Sequence, residues 1–419
     1  MKRFTTILAV FAGWLTATAQ TENEIRVHDE LSNKEQVIGL PESMKTNADS
    51  LLMRWEMQHF LYTDQNVNTD PKTATPEEIQ ERLRRIPAII EMPYNNIIQE
   101  CINKYSGSMR NTVSVMLGAG NLYIPLIEET LDRYGLPLEL KYLPVVESAL
   151  DPMAGSTSGT AGLWQFSLGT AERYKLEVNS LVDERRDPIK STEAAAQYIK
   201  DLYAIYNDWN LTLAAYNCGP ANINKAIHRA DGKKDYWAIY PFLPKETRGF
   251  VPSFIAANYI MNYYCEHGIH PMKTKMPVKT DTLVISKNLH MDQIVAICGI
   301  EKEAIKALNP QYRTDVIPGE SKPTTLRLPQ DIALKFIDNQ DAIYNYKAKE
   351  LLTRRALVAV DEKVVAKAQE MSRAKYVTIR RGDTLGAIAA RNHTTVSAIK
   401  RLNRMRSDRI NPGKRLRVR

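Results

Sequence analysis

Cysteine is scarce in this chain, with only Cys101, Cys218, Cys265 and Cys298 among 419 residues. So few cysteines, so widely separated, exclude a disulfide scaffold, although an exported protein can form one incidental bridge. Their spacing matches no metal-ligand pattern, and no histidine cluster accompanies them. The sequence therefore predicts neither a metal site nor a cofactor.

Long apolar runs are also lacking. The apolar run at residues 4–15 contains threonines and is shorter than the roughly 20 residues that a membrane-spanning helix needs. It follows a basic start and precedes Ala-Thr-Ala at residues 17–19, which is typical of a secretory signal, a transmembrane anchor being the alternative. We predict a signal peptide at residues 1–19 and export to the periplasm or cell envelope. No cysteine follows the cleavage point, so a lipid anchor of the bacterial lipoprotein type is excluded.

Excess positive charge is confined to the C-terminal end. The net charge is +8, but residues 376–419 carry twelve Lys or Arg against Asp383 and Asp408. A basic tail also suits nucleic acid, because phosphates need such charge, but export argues against that partner. We expect peripheral association with a membrane or with anionic envelope polymers, although many of these side chains can simply be solvated.

Strand patterns are rare before residue 276. Residues 20–75 are polar and predict a loosely structured segment, and residues 76–275 predict a helical domain, so the fold class is mainly α. Apolar spacing, caps, glycines and prolines indicate helices at 79–90, 121–134, 137–150, 192–206, 209–217 and 245–264. A glycine-punctuated bend at 159–166 predicts a small hairpin.

The C-terminal third contains an internal repeat, which predicts two related modules at residues 276–330 and 376–419. The corresponding positions differ by a constant 94 and are Ile294, Ile305, Leu308, Asn309, Pro318 and Gly319 in the first copy and Ile388, Ile399, Leu402, Asn403, Pro412 and Gly413 in the second. Residues 331–375 are rich in Ala, Lys and Glu and predict a semi-rigid helical linker.

Glu147 is a candidate acid because its neighbours are mostly apolar. Leu143, Val145 and Val146 predict a desolvated setting, and a helix C-terminus also disfavours a negative charge. Both effects raise the pKa of a carboxyl group, and a protonated acid is what donation to a glycosidic oxygen requires. We expect Pro144 to bend the helix beside it. The alternative is an ordinary solvated helix glutamate.

Two later segments carry side chains suited to sugars. Trp164 offers a stacking surface and Gln165 offers both a donor and an acceptor, within a glycine-containing bend. Tyr216 and Asn217 lie at a predicted helix end, from which side chains can project into a cleft. The alternatives are a turn followed by core packing for the first segment and a helix C-cap for the second.

Taken in order, three motifs resemble the lytic murein transglycosylases with a goose-type lysozyme core, most closely the membrane-bound type D subgroup with LysM modules. They are Glu147-Ser148, Gly162-Leu-Trp-Gln165 and Ala215-Tyr-Asn217. The resemblance covers about residues 90–265 and implies a lysozyme-like helical catalytic domain.

The resemblance also implies the chemistry. Glu147 would be the sole general acid and then the base in cleaving the MurNAc-β-1,4-GlcNAc bond, leaving 1,6-anhydro-MurNAc ends with help from the substrate's acetamido group. No cofactor takes part. The substrate-binding residues would be Ser148, Trp164, Gln165, Tyr216 and Asn217. A further family motif, at residues 246–251, has Phe250 where a tyrosine is usual.

Residues 376–419 resemble a LysM module, a small βααβ fold that binds N-acetylglucosamine chains. Two loops would form the binding groove, and their residues are Gly382, Asp383, Thr384, Leu385, Ile410, Asn411, Pro412 and Gly413. The earlier copy lacks the first of these loops, so the resemblance does not extend glycan binding to it.

The sequence thus predicts an exported, monomeric lytic transglycosylase that acts on peptidoglycan glycan strands. One alternative is a hydrolytic muramidase with the same fold, in which water attacks instead of the C6 hydroxyl. The other is a non-catalytic protein that binds or anchors peptidoglycan.

Overall fold

A computed structural model describes residues 24–29, 34–45, 50–51, 53, 71–274, 277, 279–358, 376–403, 405, 407–411 and 413–418. The chain divides into two compact units. Unit 1 comprises Met1–Lys175 and Arg185–Lys279, and unit 2 comprises Leu176–Glu184 and Thr280–Arg419. The signal peptide predicted at residues 1–19 lies outside the described residues. Among the described helices, none has the length and apolar character needed to cross a membrane.

The first described element of unit 1 is a hairpin, which the sequence did not predict. Strands β1 (Glu24–Asp29) and β2 (Lys34–Gly39) pair antiparallel, and alternation along β1 buries Ile25 and Val27. Ser43, just beyond β2, donates a hydrogen bond to the carbonyl of Val146. The prediction of a loosely structured segment over 20–75 is therefore wrong for these residues.

The rest of the described part of unit 1 is mainly helical, as predicted. Side-chain caps begin several helices: Thr75 forms a capping box, and Asp187 caps a helix that starts with Pro188. The helices are α1 (Pro76–Arg85), α2 (Asn96–Ser106), α3 (Arg110–Tyr134), α4 (Leu143–Ser148), α5 (Leu168–Arg173), α6 (Pro188–Tyr206), α7 (Trp209–Cys218), α8 (Pro220–Arg229), α9 (Tyr236–Ile239) and α10 (Lys245–Tyr263).

Two helix predictions need correction, both at prolines. Helix α1 ends at Arg85, short of the predicted residue 90, because Pro87 follows. The helix predicted over 137–150 is split into a 3₁₀ turn, Leu138–Tyr142, and the six-residue α4. Pro144 occupies the first turn of α4, where its missing amide costs nothing, so it starts a helix and does not bend one.

Helix α10 forms the centre of unit 1 and packs against α2, α4, α7 and β2. Its residues Phe250, Val251 and Phe254 are fully buried. Gly249 faces the Gly39 carbonyl so closely that a Cβ there would lie 2.1 Å from the oxygen. This approach brings the N-terminal hairpin against the helix and leaves no room for a larger residue.

Unit 2 contains a core to which a distant segment contributes. Strands β3 (Thr280–Ile285) and β6 (Thr324–Pro329) pair antiparallel, as do β4 (Asn288–His290) and β5 (Val316–Pro318), with α11 (Met291–Cys298) and α12 (Lys302–Leu308) between them. Leu181 and Val182 are buried in this core. The Leu181 carbonyl accepts from the Arg313 amide at 2.8 Å, and the Asp183 amide donates to the Gln311 carbonyl at 2.8 Å.

The predicted linker starts too early. Helices α13 (Gln330–Asp338) and α14 (Gln340–Asn345) follow β6, and their residues Phe336 and Ile343 are buried in the same core. Helix α15 (Ala348–Leu351) comes next. The beginning of the 331–375 stretch thus belongs to the module, because its apolar face is covered, and residues 359–375 lie outside the described residues.

The internal repeat is confirmed by a hydrogen-bond network that both copies share. The second copy consists of β7 (Tyr376–Thr378), α16 (Leu385–Arg391), α17 (Val396–Leu402) and β8 (Arg415–Arg417). The Asn309 side chain donates to the Arg327 carbonyl and accepts from the Arg327 amide, both at 2.8 Å. Asn403 does the same with Arg417, at 2.7 and 2.9 Å. The asparagine of the repeated Leu-Asn pair therefore connects the end of the second helix to the paired strand in each copy.

All four cysteines are free thiols, so the incidental bridge is absent from the structure. Cys101 and Cys298 are buried, and burial raises the pKa of the Cys101 thiol to about 12. These two cysteines therefore behave as small apolar core residues.

We predict that Leu181→Ala will lower the free energy of unfolding of unit 2 by about 2–5 kcal/mol, because it leaves a cavity in a packed core. Urea denaturation of the full chain measures this change. Val284→Ala is the matched control, since Val284 lies in β3 of the same unit and is 72% exposed. An equal loss in both variants would contradict the assignment of Leu181 to this core.

Candidate active site

Glu147 lies at the end of a very short helix. It is the fifth residue of α4, after which Ala149 and Leu150 turn the chain away with positive φ angles of 55° and 59°. Its side chain is half-buried, and no described residue forms a hydrogen bond or ion pair with its carboxylate. Burial raises the pKa of Glu147 to about 8, the predicted direction, through desolvation. The group is therefore mainly protonated at neutral pH.

Ser148 connects α4 to the Gly162–Gln165 motif through a hydrogen bond. Its side chain is buried, and its hydroxyl lies 3.0 Å from the Pro144 carbonyl and 2.9 Å from the Leu163 carbonyl. The prediction that Ser148 binds substrate is thus corrected, since the hydroxyl is used to hold α4 against the hairpin.

The predicted hairpin is present as bridges joining Ala161 to Gly155 and to Phe166. Gly162 has a φ of 86°, and a Cβ there would lie 1.8 Å from the Arg185 carbonyl oxygen, so only glycine fits. Arg185 also donates to the Phe166 carbonyl at 3.3 Å. The backbone of this motif is thus fixed by close contacts.

Trp164 does not offer a stacking surface. It is fully buried, and its indole Nε1 donates to the Thr192 hydroxyl at 2.9 Å. The prediction that Trp164 stacks on a sugar ring is wrong. The apolar neighbourhood that made it look like a binding residue is the domain core.

Gln165, the next residue, is held in an uncommon backbone conformation. Its φ is 48°, a left-handed value that a residue with a side chain seldom adopts. Its Oε1 accepts from the Thr160 hydroxyl at 2.6 Å, and its Nε2 donates to the Gly162 carbonyl at 2.8 Å. Such strain is concentrated at functional sites, and here it turns a half-buried amide out of the core.

Tyr216 brings α7 to the same place. Its hydroxyl donates to the Trp164 carbonyl at 2.8 Å. Burial raises the pKa of that hydroxyl well above its usual value, and the nearby Glu147 carboxylate raises it further. The acid, the hairpin and the end of α7 thus converge, which the order of the three motifs predicts.

Asn217 is exposed, and its amide is oriented by a residue whose role the sequence interpretation missed. Thr247, fully buried on α10, donates its hydroxyl to Asn217 Oδ1 at 2.8 Å. With the oxygen occupied, the NH₂ group is the part of Asn217 available to a ligand. Phe250, one turn further along α10, is buried in the core. The motif at 246–251 contains Thr247 and was the signal that could have identified it.

A row of tyrosines was also missed. The ring of Tyr198 lies 5.2 Å from that of Tyr216, and Tyr174 lies 5.3 Å from Tyr198. Tyr198 and Tyr174 are half-buried. Helical spacing placed Tyr198 on α6 without indicating which face of that helix would meet α7.

The predicted LysM groove is partly built from residues with structural roles. Leu385 is 3% exposed in the module's core, which corrects its assignment as a glycan contact. Thr384 caps α16, and Asp383 accepts from the Arg380 amide at 2.8 Å. Gly382 has a φ of 89°.

The second loop lies beside the strand that leads into the first. The Gly413 amide donates to the Ile379 carbonyl at 2.8 Å, Ile410 is half-buried and Asn411 is exposed. Pro412 lies outside the described residues. Of the residues predicted for this groove, Gly382, Thr384, Asn411 and Gly413 are exposed.

One cluster has the composition of a metal site. His290, Asp292 and Asp315 lie together in unit 2. Lys302 bridges the two carboxylates, at 2.5 Å from Asp292 and 3.1 Å from Asp315, and Lys306 lies 2.7 Å from Asp315. The lysines already supply the positive charge that a metal would bring, so the cluster is an ion-pair network.

Comparison with known proteins gives three family matches. The Transglycosylase SLT domain matches residues 125–239. The LysM-like domain of lytic transglycosylase MltD matches residues 279–345, and the LysM domain matches residues 377–419.

Relatives agree with these matches. The chain is 30% identical to membrane-bound lytic murein transglycosylase D of Escherichia coli (strain K12) over 331 residues, which cover 78% of this chain and 70% of the relative. It is 35% identical to membrane-bound lytic murein transglycosylase F of Maricaulis maris over 129 residues, 27% of this chain and 26% of that protein. Among solved structures, the soluble lytic transglycosylase SLT70 of E. coli matches with a TM-score of 0.31 and 21% identity, over 40% of this chain and 30% of that one.

The chain therefore belongs to the lytic murein transglycosylase D family. It is a lytic transglycosylase with an SLT catalytic domain followed by a LysM-like and a LysM module.

We predict that Glu147→Gln will melt at a higher temperature than the wild type at pH 8, while the two proteins melt at similar temperatures near pH 5. The folded state holds the Glu147 proton up to about pH 8, whereas the unfolded state releases it near the ordinary value of 4.5. Wild-type stability therefore falls as pH rises between these values, and the variant lacks this loss. Calorimetry across pH measures the difference.

Glu129→Gln is the control, because Glu129 is exposed on α3. Its effect on the melting temperature should not change over the same pH range. A Glu147→Gln difference that is equally constant would mean that the carboxyl group has an ordinary pKa.

We predict that Thr247→Val will lower kcat/KM on peptidoglycan about five- to tenfold, the effect of losing one buried hydrogen bond of about 1–1.5 kcal/mol. Thr247→Ser keeps the hydroxyl and should retain most of the activity. Steady-state turnover of both variants tests this, with melting temperatures as a check on folding. Equal losses in both variants would show that Thr247 acts through packing alone.

Proposed function

We propose that this enzyme cleaves the β-1,4 bond between N-acetylmuramic acid and N-acetylglucosamine by a non-hydrolytic route, with Glu147 as its only catalytic acid and base. One observation carries the proposal. A half-buried carboxyl group with a pKa near 8 and no bonded partner among the described residues lies beside Tyr216. Such a group can hold a proton at neutral pH and release it to a substrate.

The first step breaks the glycosidic bond. Glu147 donates its proton to the bridging oxygen as the bond to C1 of the muramic sugar breaks, and the leaving N-acetylglucosamine keeps that oxygen as a hydroxyl. The substrate's acetamido oxygen bonds to C1, so no enzyme nucleophile is required. Asp151 is buried, and its Oδ1 accepts from the Met153 amide at 2.8 Å, which suits a turn cap better than a nucleophile.

The second step restores the acid. The Glu147 carboxylate takes the proton of the muramic C6 hydroxyl, O6 bonds to C1, and the acetamido oxygen leaves C1. The product carries a 1,6-anhydro ring, and no water is consumed. Charge on Glu147 exists only between the two proton transfers, which fits a setting that disfavours the ionised form.

Asn217 and Gln165 are the proposed substrate contacts. Thr247 leaves the Asn217 NH₂ group free to donate, which suits a carbonyl or hydroxyl oxygen of the glycan. Gln165 projects from a strained turn next to the Trp164 carbonyl that Tyr216 binds. Tyr216 acts by positioning the hairpin and by shielding the acid.

The LysM module at 376–419 is proposed to bind glycan and to keep the catalytic unit on its polymer. We also propose that the protein is exported through a signal peptide, acts as a monomer in the cell envelope and uses its basic tail to associate with anionic polymers or membranes there. The relatives are named as murein transglycosylases, and murein is a polymer of that compartment.

We predict that digestion of purified peptidoglycan will release muropeptides with anhydro ends, each lighter by one water than the product of a muramidase. Mass spectrometry separates the two products. The rate should fall as pH rises through about 8, because Glu147 must start protonated.

Glu147→Gln supplies the control and should release no product while still binding sacculi. Reducing ends without the anhydro ring would identify a muramidase. Equal release by the wild type and the variant would leave only a binding or anchoring role.

A further inference from the structure

A cavity that Glu147 does not line opens in unit 1. It lies between the end of α6, helix α8 and the turn that follows α8, and has a volume of about 550 Å³. This is within the range of about 300–1,000 Å³ that is typical of small-ligand sites. None of the residues predicted to bind the glycan lines it.

The lining combines apolar surface with charges of both signs. Ile205 is 57% exposed there, which is unusual for an isoleucine, and Ile227 and the ring of Tyr206 line the same cavity. Asp231 and Lys234 stand at its edge, and both are exposed. Neither forms an ion pair with any residue in the described part of the chain. A ligand with methyl groups, an ammonium group and a carboxylate would match this lining.

Helix α8 connects this cavity to the candidate active site. It starts at Pro220, directly after the end of α7 that carries Tyr216 and Asn217. Tyr206, in the cavity, donates its hydroxyl to the Pro220 carbonyl at 3.3 Å. The cavity is lined by Asn224, Ile227 and His228 of α8. Its far edge, at Asp231, follows the end of this ten-residue helix of about 15 Å.

We propose that this cavity binds the peptide stem of peptidoglycan, with Asp231 receiving an ammonium group and Lys234 a carboxylate; this rests on the proposed function. The stem is attached to the muramic sugar, and its alanines supply methyl groups for Ile205 and Ile227. Four extended residues span about 13–14 Å, so a stem whose sugar lies beside Asn217 reaches along α8. The enzyme would then distinguish stem-bearing from stem-free glycan.

The test compares two forms of one polymer, peptidoglycan with its stems and the same glycan stripped of peptide by an amidase. The double variant Asp231→Asn with Lys234→Gln removes both charges, and asparagine tolerates the left-handed φ of 55° at residue 231. We expect kcat/KM on stem-bearing glycan to fall about fivefold, as two exposed ion pairs would give, and to change less than about twofold on stripped glycan.

Lys233→Gln is the matched control, because Lys233 is adjacent and exposed but does not line the cavity. It should leave both rates unchanged. Equal effects of the double variant on the two substrates, or no effect on either, would overturn the proposal.

Binding separates this inference from the proposed function. In the Glu147→Gln background, a soluble disaccharide-tetrapeptide should bind more tightly than the disaccharide alone, and the double variant should abolish that preference. The stem site is supported if the double variant loses this preference while the wild-type enzyme makes anhydro product. Equal affinity for the two ligands refutes it, whereas a wild type that makes no anhydro product refutes the catalytic proposal alone.

Discussion

The site depends on keeping one carboxyl group away from water without giving it a partner. A paired or hydrogen-bonded Glu147 would ionise at neutral pH, and a fully solvated one would too, so the side chain must be held by its backbone alone. The six-residue α4 is too short to supply that rigidity itself. The hydroxyls of Ser43 and Ser148 bind, respectively, the carbonyl of Val146 and that of Leu163, and they fix the helix on both sides of the acid.

The hairpin beside the acid is fixed through its carbonyl groups. Ser148, Tyr216 and Arg185 each bind a different carbonyl of the segment 163–166. Side chains that a motif search assigns to substrate are thus partly committed to holding the backbone in place. The groups that we propose as glycan contacts are the amides of Gln165 and Asn217, whose orientation is set by Thr160 and Thr247.

Residue type and periodicity were enough to predict most helices of unit 1 and the repeat, and the order of the three motifs indicated that these segments meet. They did not predict which apolar side chains would be buried in the core. Trp164 was therefore assigned to the cleft, although it lies in the core. The hairpin at Glu24–Gly39 was missed because polar residues surround its few apolar ones. The motif at 246–251 marked the position of Thr247, but its role was missed because its partner, Asn217, is 30 residues away.

The two repeat copies differ in how they obtain a sufficient core. A module of about 50 residues buries little apolar surface and is only marginally stable. Among the described residues, the second copy buries seven in its core, whereas the first buries seventeen, of which six come from Leu181, Val182 and helices α13 and α14. The first copy has kept the Asn309 network that closes its fold and lacks the Gly-Asp-Thr-Leu loop of the second. The Asn309 hydrogen bonds and the added segments both serve packing, so this copy has a larger core although it lacks that loop.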